Sequence, residues 1–404
     1  MNRTDFLKRL TLLGISGSLT PQLLASSFSQ NDPSAEKSEE TEAFRFLTKP
    51  YLQFSGKDTM TVAWITNHNC FSWVEFGEND DLSQRGMTDI DGLNQANNRI
   101  HKICLEELKP GVKYAYKVCS KEIIKYSPYI AQYGKTIESR IYHFVMPSSE
   151  ADEVSLLILN DIHDRPESIA HLIGLNNNDP YDFVCLNGDS VTILDSESQL
   201  IKDVITPCAE AFAPEKPLLY IRGNHETRGG YSRRLYDYLD TGTKPYYSFS
   251  AGPAFFVVLD TGEDKNDDHQ EYVGLVSFDP YREKEAKWLE QELKSPAAKK
   301  AKFRVVLMHI PHYYSGDGHG ALHCRELFGP IFNKGKVDIA ICGHTHRYGV
   351  FKPVEKQHNF PIIIGGGPRD GKRTLIKLHV NRKKLDIAML DDSGEVVGSY
   401  NINK

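Results

Sequence analysis

Long apolar runs are missing from this chain. No stretch of about 18 or more hydrophobic residues occurs, so the sequence offers no bilayer-spanning helix. Cysteine is scarce and odd in number, seven in 404 residues, which argues against a disulfide-built scaffold. Positive charge is in deficit: 48 Lys and Arg stand against 54 Asp and Glu, a formal net charge of −6. Phosphate-backbone binding wants a basic surface, so no nucleic-acid partner is expected. Electrostatic docking on anionic membranes is disfavoured for the same reason. No internal repeat is present. What remains is ordinary: 40% hydrophobic and 25% charged residues, with 30 Gly and 20 Pro, the balance of a soluble globular protein long enough for two domains.

The N-terminus has the layout of an export signal over residues 1–27. Arg3, Lys8 and Arg9 precede a weakly apolar stretch, Leu10–Leu19, and the small residues Ala25, Ser26 and Ser27 follow. An exported protein, periplasmic or secreted, is therefore expected; an amphipathic helix retained on the chain is the alternative. Arg3–Lys8 resembles a twin-arginine signal with Thr4 in place of the second Arg, which leaves a Tat-like and a Sec route both open. No Cys near the small residues supports a lipid anchor. Residues 28–43, rich in Ser, Glu, Asp and Pro, read as a flexible linker.

Periodicity divides the rest. Strand-like segments at Thr59–Thr66, Ser72–Gly77, Tyr114–Val118 and Tyr142–Val145, punctuated by turns such as Leu108–Gly111, predict an all-β sandwich over 44–148. Over 152–404 the pattern changes to continuous apolar runs, Val154–Leu159, Phe183–Leu186, Leu218–Ile221, Phe255–Leu259, Val305–Met308 and Val337–Ile341. Such runs suit strands buried on both faces. Helical stretches lie between several, the clearest being Tyr281–Leu293, so a layered α/β domain is expected. The tail from Thr374 reads as hairpins, with a turn at Asp392-Ser393-Gly394.

Five of these runs end in a burst of polar residues: Asp161-Ile162-His163, Gly188-Asp189, Gly223-Asn224-His225-Glu226, His309, and Gly343-His344-Thr345-His346. Ligands of open α/β sheets bind beyond the carboxyl ends of strands, so the five are expected to converge. Carboxylate with imidazole suits Mn, Fe or Zn better than Ca or Mg. Asp161, His163, Asp189, Asn224, His309, His344 and His346 are too many donors for one ion. They suit two ions, about 3.5–4 Å apart, sharing one carboxylate; such a pair polarises a phosphoryl group and acidifies a bridging water for in-line attack. Gly188, Gly223 and Gly343 are expected to let the backbone turn sharply there. His309 taken alone fits a core histidine; its place after an apolar strand among the other blocks favours a ligand.

In this order the blocks resemble the calcineurin-like metallophosphoesterase superfamily. The resemblance implies an α/β-β/α fold. It implies one metal held by Asp161, His163, Asp189 and His346, and a second by Asp189, Asn224, His309 and His344, with Asp189 bridging. It places His225 on the phosphate, protonating the leaving oxygen, a task that suits an imidazole because its pKa lies near neutrality. Glu226 is expected to orient His225. Lys49-Pro50-Tyr51-Leu52-Gln53, Trp73-Val74-Glu75-Phe76-Gly77 and Leu108-x-Pro110-Gly111-x-x-Tyr114-x-Tyr116 resemble the fibronectin type III-like N-terminal domain of purple acid phosphatases. That implies a small-molecule phosphate monoester as substrate. One departure matters: Thr192 stands where those phosphatases place the Tyr that binds ferric iron, and His163 where they usually have Gly. An imidazole replacing the phenolate makes Mn, Zn or ferrous iron the expected pair.

Other residues carry weaker signals. Arg165, Arg222 and Arg347 sit beside motifs and are candidates to clamp a phosphate, against the alternative of ion pairs. His312, with Tyr313 and Tyr314, lines either the substrate pocket or a solvated loop. Asp260 reads as structural. Gly365–Gly367 lacks the Lys-Ser/Thr of a P-loop and reads as a turn. Cys104 and Cys119 flank the Leu108–Gly111 turn, which leaves a bridge between them open. The reading is a two-metal phosphoesterase acting on monoesters. A nucleotide-type phosphodiesterase and a binding protein without catalysis are the alternatives, and the acidic balance argues against a nuclease. The sequence does not set the oligomeric state.

Overall fold

Thr59–Glu78 is rich in β-branched and aromatic residues and folds as one strand of 20 residues. Two separate strands, Thr59–Thr66 and Ser72–Gly77, were expected here. The chain stays extended because its partners change instead. Met60–Ile65 pair with Ile100–Leu105, whereas Cys70–Glu78 pair with Tyr114–Glu122. The register shift between Ile65 and Cys70 absorbs the polar residues as a bulge. Through this strand seven strands join in one sheet. The described region up to Val145 contains strands and no helix. Cys104 and Cys119 lie opposite Thr61 and Trp73, on different halves of the long strand. The bridge considered between them is not formed.

This computed structural model describes residues 42–242 and 244–404. The export signal predicted over 1–27, and nearly all of the 28–43 linker, lie outside the described residues. Phe44–Lys404 form one unit.

The apolar runs of the second region become the strands Glu153–Leu159, Phe183–Asn187, Leu218–Ile221, Ala254–Leu259, Phe303–Met308 and Ile339–Cys342. They are shared between two six-stranded sheets. In the first, the three earliest are parallel, and Thr374–Asn381, Lys384–Asp391 and Val396–Asn403 extend the sheet antiparallel, as the hairpin pattern of the tail predicts. In the second, Ala254–Leu259, Phe303–Met308 and Ile339–Cys342 run parallel.

Alternation along each strand then builds the layers. Ile158, Cys185, Val305, Leu307 and Ile341 face a core between the sheets. Leu157, Leu159, Val184 and Leu186 pack with Ile169 and Leu172 of the helix Glu167–Gly174. Val306, Met308, Ala340 and Cys342 pack with Leu289, Phe328 and Phe332 of the helices Phe278–Glu292 and His319–Lys334. Helix, sheet, sheet and helix are stacked in that order. The core between the sheets continues into the all-β region, since Leu52, Trp64 and Tyr116 belong to the same cluster. Tyr116 also donates its hydroxyl to the Pro214 carbonyl at 2.7 Å. The change near residue 150 is one of architecture, with packing unbroken across it.

The fold carries an acid liability. His101 is buried beside Thr66 Oγ1 at 3.0 Å, and burial pushes its pKa from 6.5 to about 3. The unfolded chain takes up a proton near 6.5 that the folded chain refuses, so stability falls as pH drops from about 6.5 toward 3. His101→Gln is expected to flatten the loss of urea resistance between about pH 6.5 and 4. An unchanged slope would remove His101 from the acid response.

Candidate metal centre

Each polar burst leaves the carboxyl end of a strand. Asp161 and His163 follow Glu153–Leu159, Asp189 follows Phe183–Asn187, and Asn224 and His225 follow Leu218–Ile221. His309 comes directly after Phe303–Met308, and His344 and His346 after Ile339–Cys342. Both sheets thus deliver donors to one edge. The turns are tight. Asp161, His163, Asp189, His344 and His346 all adopt left-handed backbone, with φ between 46° and 72°. That conformation costs a non-glycine residue about 1–3 kcal/mol and persists only where surrounding contacts over-determine it. Gly188 (φ 84°) turns the chain ahead of Asp189, and a Cβ there would lie 2.3 Å from His309 Nδ1. Gly223 and Gly343, also expected to supply sharp turns, are not left-handed; a Cβ on them would strike the carboxylates of Asp189 and Asp161.

Two sets of donor atoms result. Asp161, His163, Asp189 and His346 form one, and Asp189, His309 and His344 the other, with donors inside each set within 4.8 Å of one another. In the first, Nε2 of His163 and His346 are 3.0 Å apart, and His346 Nε2 is 3.3 Å from Asp161 Oδ1. In the second, Asp189 Oδ2 lies 2.9 Å from His309 Nε2, and Asn224 Oδ1 lies 2.9 Å from His344 Nδ1. All seven residues named from the sequence meet here.

His309 shows that these donors fit a cation. Its Nδ1 donates to the Asn187 carbonyl at 2.8 Å, which leaves a lone pair on Nε2. That nitrogen is buried without a hydrogen-bond partner and faces a carboxylate oxygen at 2.9 Å. Two acceptors so opposed repel unless positive charge lies between them. Burial alone would lower the imidazole pKa; Asp189 more than offsets it and lifts the group to about 10, so without a metal ion a proton on Nε2 supplies that charge. Either a proton on His309 or a metal ion that takes its place supplies the positive charge this contact requires. A third group, Asp279, His319 and His323, differs in this respect. There Asp279 Oδ1 already accepts from Arg282 Nη1 at 2.8 Å and pairs with His319 Nε2 at 2.8 Å.

Residues 154–348 match the family model of calcineurin-like phosphoesterases. Over that stretch the chain carries a metallophosphoesterase domain. It is similar to purple acid phosphatase 21 of Arabidopsis thaliana, 24% identical over 349 residues that cover 80% of this chain and 71% of the relative. Acid phosphatase type 7 of Mus musculus is 25% identical over 344 residues, covering 78% and 72%. In fold the chain is similar to a purple acid phosphatase isolated from yellow lupin (Lupinus luteus) seeds. The TM-score is 0.66 at 19% identity, over 88% of this chain and 74% of that one. This metallophosphoesterase is a metal-dependent phosphoric ester hydrolase.

Its other site residues depart from expectation in instructive ways. No hydrogen bond is seen between Glu226 and the His225 ring. The buried Glu226 carboxylate instead accepts the backbone N–H of Asp189 (3.0 Å), Ser190 (2.6 Å) and Gly223 (2.8 Å) and the Tyr220 hydroxyl (3.0 Å). It clamps two metal-site loops together. His225 is oriented by its Nδ1, which donates to the Thr192 carbonyl at 2.7 Å, and by its backbone N–H on Asp189 Oδ1 at 3.0 Å. Its Nε2 lies 4.0 Å from Asp189 Oδ2 and 3.4 Å from Arg228. Arg228 was missed; its one sequence signal is its place three residues after His225. It pairs with Glu263 at 2.8 Å and Asp264 at 3.3 Å.

Arg222 is spent on buried Asp260 at 2.6 Å, and Arg165 pairs with exposed Asp370 at 3.4 Å. Arg347 is exposed and lines a cavity of about 600 Å³ beside His346. His312 is corrected: it is fully buried, its ring 5.2 Å from Phe332 and 5.9 Å from Phe360, and burial pushes its pKa to about 3. Out of solvent reach, it is a core residue and not a substrate contact. Gly365, Gly366 and Gly367 donate their N–H groups to Cys342 O, Thr374 Oγ1 and Lys372 O, so none is left for a phosphate.

Glu226→Gln turns an amide N–H₂ toward backbone donors and is expected to cost about 1–3 kcal/mol in stability. Metal content, read by elemental analysis, should fall with it, and unchanged content would show the clamp to be dispensable. Chelation should lower the melting temperature of the wild type and refilling with Mn, Zn or Fe restore it.

Proposed function

We propose that this chain hydrolyses phosphate monoesters with a pair of divalent transition ions, Mn, Zn or ferrous iron, bridged by Asp189. The observation that carries this is the presence of Asp189 in both donor sets. Asp161, His163 and His346 would complete the first site, and Asn224, His309 and His344 the second. When bound, the ions supply Lewis acidity to the phosphoryl oxygens and acidify the attacking water.

The remaining work falls to side chains. His225 has its Nδ1 committed to Thr192, so Nε2 is the atom that holds a proton and gives it to the leaving oxygen. Arg228, fixed by Glu263 and Asp264, keeps its guanidinium beside that nitrogen. Thr192 Oγ1 lies 3.5 Å from His163 Nδ1, so the short side chain leaves room for the imidazole that takes the place of a phenolate. The acid phosphatases among the relatives support a monoester. Export follows from the reading of residues 1–27; among the described residues no helix is long and apolar enough to cross a membrane.

Turnover of 4-nitrophenyl phosphate should exceed that of bis(4-nitrophenyl) phosphate; faster diester cleavage would overturn the monoester assignment. His225→Ala should cut turnover of alkyl phosphates by ~10²–10⁴-fold, spare metal content, and cost far less with the good nitrophenol leaving group. Equal losses on both substrates would take leaving-group protonation away from His225.

A further inference from the structure

Beside His346 the surface hollows into a cavity of about 600 Å³, walled by His346, Arg347, Tyr348, Gly367, Arg369 and Lys372 among others. That volume suits a small molecule and exceeds the needs of one phosphoryl group. Its cations stand apart from the others around the site. Arg165, Arg222, Arg228 and Arg373 are each paired with carboxylates. Among the described residues no ion pair involves Arg347, Arg369 or Lys372. The one carboxylate of the loop, Asp370, is shared by Arg165 at 3.4 Å and Arg373 at 3.3 Å.

The loop that carries two of these cations is fixed. Gly365 N–H donates to Cys342 O at 2.9 Å, Gly366 N–H to Thr374 Oγ1 at 2.7 Å, Gly367 N–H to Lys372 O at 3.1 Å and Lys372 N–H to Arg369 O at 2.9 Å. A Cβ on Gly367 would lie 2.6 Å from His346 Cβ, so the loop backbone presses directly on a residue of the first donor set. With those backbone donors consumed, side-chain charge is what the cavity offers a ligand.

We infer that this cavity receives a second anionic group of the substrate, and that the chain prefers phosphate esters carrying a further phosphate or carboxylate on the same small skeleton. This rests on the phosphoesterase reading above. Guanidinium and ammonium groups recognise either oxyanion by charge-assisted hydrogen bonds, and arginine does so bidentately.

Three esters of primary alcohols on a common four-carbon chain test it on the metal-loaded full chain: butyl phosphate, butane-1,4-diyl bisphosphate and 4-(phosphonooxy)butanoate. The two substrates with a second anionic group should exceed butyl phosphate in kcat/KM by about 10- to 100-fold, as one or two charge-assisted bonds predict. A larger gain for the bisphosphate would name phosphate as the second group, and a larger gain for the butanoate would name carboxylate. In Arg369→Gln/Lys372→Gln, two exposed positions, that ratio should fall toward one. Calorimetric binding of butane-1,4-bisphosphonate against butylphosphonate gives a readout that needs no turnover, with the same ratio expected and the same collapse in the variant. Equal kcat/KM for all three substrates, or equal binding of the two phosphonates, would overturn the inference. Failure to hydrolyse any of the three, with discrimination between the phosphonates intact, would fall on the proposed function instead.

Discussion

A carboxylate taken out of water costs several kcal/mol unless positive charge and hydrogen bonds replace the water, and Asp189 is 1% exposed. The surrounding loops are arranged around that cost. Its Oδ1 accepts the His225 amide, and its Oδ2 faces His309 at 2.9 Å. Burial would raise its pKa, yet His309 and the imidazoles of His225 and His163 hold it well below the ordinary carboxylate range. The charge is therefore kept, and kept where the two donor sets meet. Glu226 is the complement. It is fully buried too, but three backbone amides and Tyr220 supply its donors, so it anchors the loops. One acid is balanced by positive charge, from the imidazoles or an ion, and the other by neutral donors alone.

Much of this was readable because parallel strands buried on both faces leave unbroken apolar runs, and the polar residues that end them stand out. Leu218–Ile221 was bounded to the residue, and the seven residues expected from that pattern as donors lie together at one edge. What stayed hidden depends on partners distant in the chain. Thr59–Thr66 and Ser72–Gly77 read as two strands, and the exchange of one neighbouring strand for another keeps the residues between them extended. The helix His319–Lys334, which contains Pro330 and follows a Gly-rich stretch, was not singled out from the sequence; Phe328 and Phe332 pack it on the second sheet. His312 resembles a pocket residue because it follows His309 by three positions, but Phe332 and Phe360 close over it. Glu226 adjoins His225 in sequence, yet its carboxylate serves the backbone of a different loop.

The left-handed residues link fold to chemistry. Five of the donor residues sit in backbone that side chains disfavour, and that strain is tolerated because each loop is tied down from outside itself. Asp161 N–H donates to Gly188 O at 3.0 Å and His163 N–H to Asp189 O at 2.9 Å, so the first two loops hold one another. Asp161 also accepts the His344 amide at 2.9 Å, which joins the second sheet to the first across the site. Backbone contacts thus hold the donor positions, which is what a preorganised centre requires.

The chain carries a net charge of −6, and a phosphate ester is itself an anion, so the average field opposes approach. Screening confines that opposition to about 8 Å at physiological salt, and within such a distance pairing matters more than totals. Arg222 and Arg228, bound to Asp260 and Glu263, act as walls. Among the described residues no carboxylate pairs with Arg347, Arg369 or Lys372, and these act as field. Two of those three lie on the 365–373 segment, which crosses from Ile362–Ile364 of the second sheet to Thr374–Asn381 of the first. The metal donors sit on turns pinned by both sheets and are needed for any ester. The crossing loop can change its exposed side chains without disturbing those turns, because its contact with His346 is made by the backbone of Gly367. Reaction and selectivity are in this way carried by separate segments that meet at one histidine.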